Sequence, residues 1–285
     1  MIWLKWFGPS IVGLLVLITA LFTYSRQRWD GLSAQLFARL DSARTKLQPG
    51  RFDTHEVDGL PPPVQRFFRT ALSDGMPLVA VASVEQAGTF NIGETSDQWK
   101  DFTATQRVVT RHPGFLWDAR VAMLPGVAVH VHDAYVQGEG LLHAAIAGLV
   151  TVAELRGGDV ARGELMRFVA EAALYPTALL PSQGVVWEDV GQHSARATFT
   201  DGSISVTMMF TFGMDGLIES IRADERGRLV GEKIIPTPWE GRWTEYRLMD
   251  GMRVPMAGEV AWLLPEGRKP YWRGRIRKLR YEFEQ

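Results

Sequence analysis

Residues 203–212 restrict the possible folds more than any other stretch of the chain. Ile204, Val206, Met208, Phe210 and Phe212 fall on one side of a two-residue period, and Ser203, Ser205, Thr207 and Thr211 fall on the other. A period of two belongs to a β-strand with one buried and one solvated face. Asp-Gly pairs at 201–202, 215–216 and 250–251 punctuate the region, and such a pair between alternating runs signals a hairpin. Val254, Met256, Val260 and Trp262 continue the inward face, and Tyr271 to Phe283 closes the chain. The pattern implies an antiparallel meander with one wet face. The same period runs from about residue 78, through Leu78–Val84, Gln98–Thr110 and Val127–Tyr135. Residues 140–154 fit a buried strand pair or a helix equally well, because a short apolar run does not distinguish them.

A helical period interrupts these strands between Gly163 and Pro181. Leu165, Phe168, Val169 and Ala172 recur at helical spacing, with Glu164, Arg167 and Glu171 on a neighbouring face. Arg167 is placed to pair with either carboxylate, and Pro176 stops the helix by forcing its predecessor out of the α region. Two readings follow. Either the acids face a cavity with their charge held by Arg167, or they form a solvated ladder on the outside of a packed helix. Spacing alone favours the ladder. With strands before and after it, this helix predicts an α+β, mainly antiparallel fold. The expected form is a large curved sheet or incomplete barrel with the helix as lid or plug.

Ahead of this domain, residues 6–24 form a run of 19 without a charge, long enough at about 1.5 Å per residue to span a hydrocarbon core. Trp3, Trp6 and Tyr24 sit at its ends, where aromatic rings favour the interface. No small-residue cleavage site follows, so an uncleaved transmembrane anchor is expected over residues 1–25 rather than a signal peptide. Arg26, Arg28, Arg39 and Arg44 follow the span, and Lys5 precedes it. That count places the body of the protein in the cytoplasm. A short N-terminus before a first span favours the opposite side, so the topology of this single-pass arrangement stays open. Trp29, Leu32, Leu36, Leu40, Ala43 and Leu47 make an amphipathic juxtamembrane helix within residues 26–58, stopped at Pro49-Gly50. It is expected to dock on the domain or the bilayer surface. A second short helix opens at Leu60, with Val64, Phe67, Phe68 and Leu72 as its buried stripe and proline in its first turn. The remaining residues, 59–285, constitute one curved-sheet domain.

Composition narrows the chemistry. A net charge of −1 provides no field for nucleic acid. The absence of cysteine removes thiolate chemistry and disulfides. Nucleophile elbows, zincin helices, phosphate loops and dinucleotide fingerprints are all missing, and no cofactor is expected. His130 and His132 share one strand face and could pinch a metal ion, but Asp133 points the other way, and two polar residues on the wet face of a strand are the favoured account, so no metal is expected. The aromatics Trp99, Phe102, Phe115, Trp117, Tyr135, Trp187, Trp243, Trp262 and Trp272 fill a core or, in a half-open barrel, line a ligand cavity. The candidate ligand contacts are therefore Glu164, Arg167, Glu171, Trp99, Trp117, Tyr135, Trp187 and Trp243. Arg273, Arg275 and Arg277 share a face of the basic last strand, read either as edge protection or as a contact for anionic headgroups.

Several segments, in order, resemble a bacterial family of unknown function, domain-of-unknown-function 6544 or 6920. They are Leu60-Pro-x-Pro-Val-x-Arg-Phe-x-Arg, Trp99-x-x-Phe-x-Ala-x-Gln106, Phe115-x-Trp-x-Ala119 and Val131-x-Asp-x-Tyr-x-x-Gly-x-Gly140. Glu164-x-x-Arg-x-x-x-Glu-x-x-x-x-Pro-x-x-Leu-Leu-Pro181 and Trp187 complete the set. Phe67, where the family more often has tyrosine, and Ala173-Leu174-Tyr175, where it usually has tryptophan, depart from it. The resemblance supplies no reaction, but it makes the Glu164–Arg167–Glu171 stripe a shared feature and puts its two readings level. The layout is also similar to the half-barrel of bacterial lipoprotein carriers. The expected function is a protein of the bacterial cell membrane that binds a hydrophobic or lipid-like ligand. The alternatives are an enzyme using Glu171 as general acid or base, or a membrane-tethered scaffold.

Overall fold

The computed structural model describes residues 4–42, 50–93, 96–231 and 233–284, with side chains from residue 12 onward. Among the described residues there are three α-helices, α1 (Leu4–Ser42), α2 (Pro62–Ala71) and α3 (Gly158–Glu171). Six strands precede α3: β1 (Val79–Asn91), β2 (Trp99–Val109), β3 (Gly114–Leu124), β4 (Val127–Val136), β5 (Glu139–Ile146) and β6 (Val150–Arg156). Those that follow begin with β7 (Val186–Gly191), β8 (Ser194–Asp201), β9 (Ile204–Phe212), β10 (Ile218–Val230) and β11 (Lys233–Thr244). A small hairpin of β12 (Arg247–Met249) and β13 (Met252–Val254) precedes β14 (Ala257–Leu264) and β15 (Gly267–Phe283).

Thirteen of these strands form one antiparallel sheet in the order β6-β5-β4-β3-β2-β1-β15-β14-β11-β10-β9-β8-β7. The last strand returns to pair with the first, Val84 opposite Leu279, and joins the two meanders. Among the described residues β6 and β7 do not pair with each other, so the barrel is open. The sheet wraps α3, which touches β3, β4, β5 and β6 on one flank and β9 and β10 on the other. Tyr135 of β4 reaches across to donate to Asp201 at the end of β8, at 2.6 Å.

Local chemistry explains the details. The ambiguous stretch 140–154 is a hairpin, because Ala147 and Gly148 both take positive φ (48° and 68°), the requirement of a tight turn matched to strand twist. α3 starts five residues before the predicted helix and stops at Glu171, after which single 3-10 turns carry the chain to Gln183. Tyr175, held before Pro176, has φ −139° and cannot continue a helix. The stripe Leu165, Phe168, Val169 and Ala172 is buried, as are Val64, Phe67 and Phe68 of α2.

Three expectations change. First, the predicted anchor and amphipathic segment form a single helix, α1. Among the described residues no helix is long and apolar enough to cross a membrane; of the predicted span, residues 6–24, the side chains of 6–11 lie outside the description. Ala43, Arg44, Leu47 and Pro49 also lie outside it. Second, the sheet's convex face is not wet throughout, because α1 covers β3, β4 and β5. Leu40 packs there against Val81, Val109, Leu116 and Leu141. Third, β15 is central rather than an edge, and several of its bases are paired: Arg273 with Glu259 of β14, Arg275 with Glu245 in the loop after β11, and Lys278 with Glu85 of β1.

Candidate functional site

The polar stripe of α3 faces the concave sheet. Arg167 lies at its centre, donating from Nη1 to Asp133 Oδ2 at 2.5 Å and from Nε to Glu171 Oε1 at 2.7 Å. Its guanidinium also lies 5.0 Å from the ring centres of both Phe115 and Trp117. The other oxygen of Glu171 accepts from Gln106 Nε2 at 2.5 Å. Gln106 in turn accepts from Gln86, which accepts from the Trp117 indole. Glu171 is thus satisfied at both oxygens. Burial would lower the pKa of Arg167, but the charges of Glu171, Asp133 and Glu164 hold it above its ordinary value.

Glu164 has a different environment. Its Oε1 lies 3.5 Å from Arg226 Nη2 of β10, and that guanidinium sits 4.9 Å from the Trp239 ring centre. Its Oε2 is buried without a hydrogen-bond partner, as is Oδ1 of Asp133. Burial, reinforced by the charge of Asp133, pushes the Glu164 carboxyl up to about 8. A buried carboxyl oxygen without a partner is a polar position that a further group can complete.

Two adjoining cavities open onto these atoms. The inner one, about 120 Å³, is walled by Trp117, Trp239, Trp243 and Trp272, with Arg167 and Glu171. The outer one, about 390 Å³, runs past Glu164, Val160 and Leu142 to Asn91, Ile92 and Gly93. Phe90, Asp133, Arg226 and Tyr271 line both. The Tyr271 hydroxyl accepts from the Trp239 indole at 2.9 Å, and burial raises its pKa. The site is an apolar, tryptophan-walled chamber with an ionic network at its floor.

Of the residues singled out from sequence, Glu164, Arg167, Glu171, Trp117 and Trp243 line the chamber, and Trp243 also donates to the Ala170 carbonyl of α3 at 3.0 Å. Trp187, Tyr135 and Trp99 line neither cavity. Trp187 donates to the Leu179 carbonyl and packs against Phe68 and Phe210. Tyr135 is held by Asp201 in the core, and Trp99 lies under Arg273 with its indole on Asp97. Asp133, Arg226, Trp239 and Tyr271 were not singled out. Alternation from His130 and His132 already set Asp133 on the opposite face, which is the chamber face.

The histidines serve a different end. His132 is buried, its Nε2 lies 2.7 Å from Ser33 Oγ, and its ring stacks on Trp29 at 4.0 Å. His130 and His143 contact the same indole, at 5.2 and 5.3 Å. Trp29 and Ser33 both donate to Asp118. Among the described residues no group of three or more His, Asp or Glu side chains could hold a metal. The strand face that carries the pair is covered by α1 rather than wet.

Fold and site together define a half-barrel plugged by a helix, with a chamber between plug and sheet. The chain belongs to the family of unknown function DUF6920, which it matches over residues 58–281. No curated protein matches it. Among solved structures it is similar to a DUF1329 family protein from Desulfovibrio piger, at 11% identity and TM-score 0.37, over 72% of this chain and 86% of that one. It is also similar to a LolA superfamily protein from Nitrosomonas europaea, at 9% identity and TM-score 0.31, over 71% and 86%. A third is a β-barrel-like protein of domain of unknown function DUF1849 from Brucella abortus, at 12% identity and TM-score 0.20, over 72% and 98%.

Proposed function

We propose that this protein binds a hydrophobic, lipid-like ligand in the chamber between α3 and the concave sheet. The observation that carries the reading is the Oε2 atom of Glu164, buried without a hydrogen-bond partner in a residue that lines a cavity bounded in part by Phe90, Trp262 and Tyr271. Ligand sites combine such apolar walls with a few convergent polar groups, in volumes of roughly 300–1,000 Å³, and the outer cavity of about 390 Å³ falls in that range. The apolar body of the ligand lies along Trp239, Trp262 and Tyr271, and its polar end accepts from Glu164 or meets Arg226. The first part of α1 holds the protein at a bilayer. Its apolar side chains from Val12 to Tyr24 are exposed, several by more than half, and water is a poor environment for such a run.

Native mass spectrometry and lipid extraction of the purified chain test the reading. A co-purifying amphiphile, displaced by a fluorescent fatty acid that quenches the chamber tryptophans, is the expected result. An empty protein that also fails to take up the probe overturns it. The raised pKa of Glu164 favours one second reading, acid–base chemistry at that residue rather than at Glu171, whose oxygens are both engaged. In that case Glu164→Gln abolishes turnover of the bound molecule while leaving its binding intact.

A further inference from the structure

The strand register places the chamber mouth and the departure of α1 at the same end of the sheet. β1 ends at Asn91 opposite Trp99, and Phe102 opposite Val121 carries that end across to Leu124 of β3. The turns after Leu124 and after Ile146 therefore lie at this end, since Val129 pairs with Ile146. On the other flank Phe90 faces Trp272, Trp262 faces Trp239, and Val230 faces Lys233, so the turn between β10 and β11 lies at this end too. The outer cavity is bounded here by Asn91, Ile92 and Gly93 on one side and by Leu229 and Ile234 on the other. This edge is the rim of the mouth.

α1 runs along the convex face toward the same rim. Leu40 sits at Gly114, at the far end of β3, and Trp29 is bonded to Asp118 midway. Ser25 and Arg28 donate to the carbonyls of Ala147 and Gly148, in the rim turn between β5 and β6. The described residues of α1 before Ser25 continue beyond the rim. Residues 12–24 extend about 20 Å as a helix, with Leu14, Val16 and Leu17 exposed by 57%, 63% and 65%. The rim presents apolar side chains on both flanks of the mouth: Leu124 at 68% exposure and Val150 at 61% on the flank that α1 crosses, and Val230 at 43% on the other. Lys233 is exposed at the start of β11, and Arg26 and Arg28 follow the apolar run at rim height. Apolar side chains with flanking bases fit the boundary between acyl chains and anionic headgroups.

We propose that this rim is a bilayer-facing surface, so that the chamber opens onto the leaflet and exchanges its ligand with the membrane rather than with water. The ligand clause rests on the binding function proposed above; the orientation rests on register and exposure alone. The lipid bilayer is the fitting occupant because the exposed apolar helix and the rim are continuous. A second copy of the chain would have to cover both.

The chain contains no cysteine, which makes single-site labelling direct. Leu124→Cys and Val230→Cys at the rim, and Met214→Cys in the β9–β10 turn at the opposite end, each carry an environment-sensitive fluorophore. All three side chains are exposed, so the substitutions leave the core intact. The full chain is reconstituted into vesicles of phosphatidylethanolamine and phosphatidylglycerol containing nitroxide-labelled phosphatidylcholine. Loss of fluorescence at Leu124 and Val230, with Met214 unaffected, is the expected outcome. A chain that floats with the vesicles but whose rim labels are unquenched overturns the orientation and leaves the binding function standing. Failure to float overturns the bilayer contact altogether. Rim labels shielded from water-soluble quencher yet untouched by the lipid nitroxide, in a particle of two copies, overturn it in favour of a self-association surface. Quenched rim labels in a protein whose chamber takes up no amphiphile uphold the orientation and overturn only the ligand clause.

Discussion

Glu164→Gln isolates the buried carboxyl on which the chamber reading turns. Glutamine keeps the volume and an acceptor for Arg226 but does not ionise. In the wild-type protein the group titrates near 4.5 when unfolded and at about 8 when folded. Below pH 4.5 both states hold the proton. Between 4.5 and 8 the unfolded chain releases it and the folded protein does not, so this group's contribution to stability falls as pH rises through that window. The slope approaches about 1.4 kcal/mol per pH unit, and the full interval amounts to about 3–5 kcal/mol. His130 and His143 act oppositely in the lower part of that window, because burial lowers both of their pKa values and stability from them rises with pH until their ordinary value of 6.5 is passed. The wild-type curve alone can therefore be flat, and the difference between Glu164→Gln and wild type is the informative quantity. Urea unfolding followed by tryptophan fluorescence, at steps from pH 5 to pH 8, measures it. The variant is expected to gain on the wild type steadily with pH. Parallel curves would refute a buried carboxyl held protonated in the folded state.

Two further substitutions probe the floor and the plug. Arg167→Met strands Asp133 and Glu171 without a counter-charge and is expected to cost about 3–5 kcal/mol, with partial recovery when Asp133→Asn and Glu171→Gln are added; thermal unfolding of the four-variant set checks both statements. Gly140→Ala places a Cβ against the backbone of Val160 and Ala161, so α3 must lift from β5 at a cost of about 1–3 kcal/mol, read as a lowered melting temperature and faster amide exchange at the start of α3.

The parts of this protein legible in its sequence are those fixed by short-range periodicity. Alternation from Ile204 to Phe212 predicted the strand, and Val206, Met208, Phe210 and Phe212 are all buried. The Leu165–Phe168–Val169 stripe predicted α3. The polar stripe was legible as spacing, but its pairing was not. Arg167 takes Glu171 four residues on, and Glu164 turns instead to Arg226, a residue 62 positions away that only the sheet's curvature brings near. Asp133 and Gln106 are not legible as partners for the same reason. The edge reading of β15's basic face fails because alternation reports which side a residue occupies, not whether its strand is central or at an edge. His132 was misjudged because an amphipathic stripe such as Trp29–Leu36–Leu40 announces that a helix docks without saying where.

That docking gives the β3–β4 pair a double function. Trp117 faces Asp133 and the next rung pairs Asp118 with His132. The first pair points inward, where Arg167 of α3 bonds Asp133 and lies over Trp117. The second points outward, where Trp29 and Ser33 of α1 bond Asp118 and cover His132. A slip of one residue would exchange the faces, setting an aspartate and a tryptophan under α1 and a histidine under Arg167. Each helix thus fixes the register on which the other depends. A double-mutant cycle between Trp29→Ala and Arg167→Met measures this dependence. The two side chains lie on opposite faces and share no direct bond, so independent sites would add within about 0.3–0.5 kcal/mol. Coupling through the shared rungs is expected to exceed that, at about 0.5–1.5 kcal/mol, with the second substitution costing less once the first has loosened the hairpin. Simple additivity would mean that the sheet holds its register without either helix, and that α1 is attached to the chamber wall without supporting it.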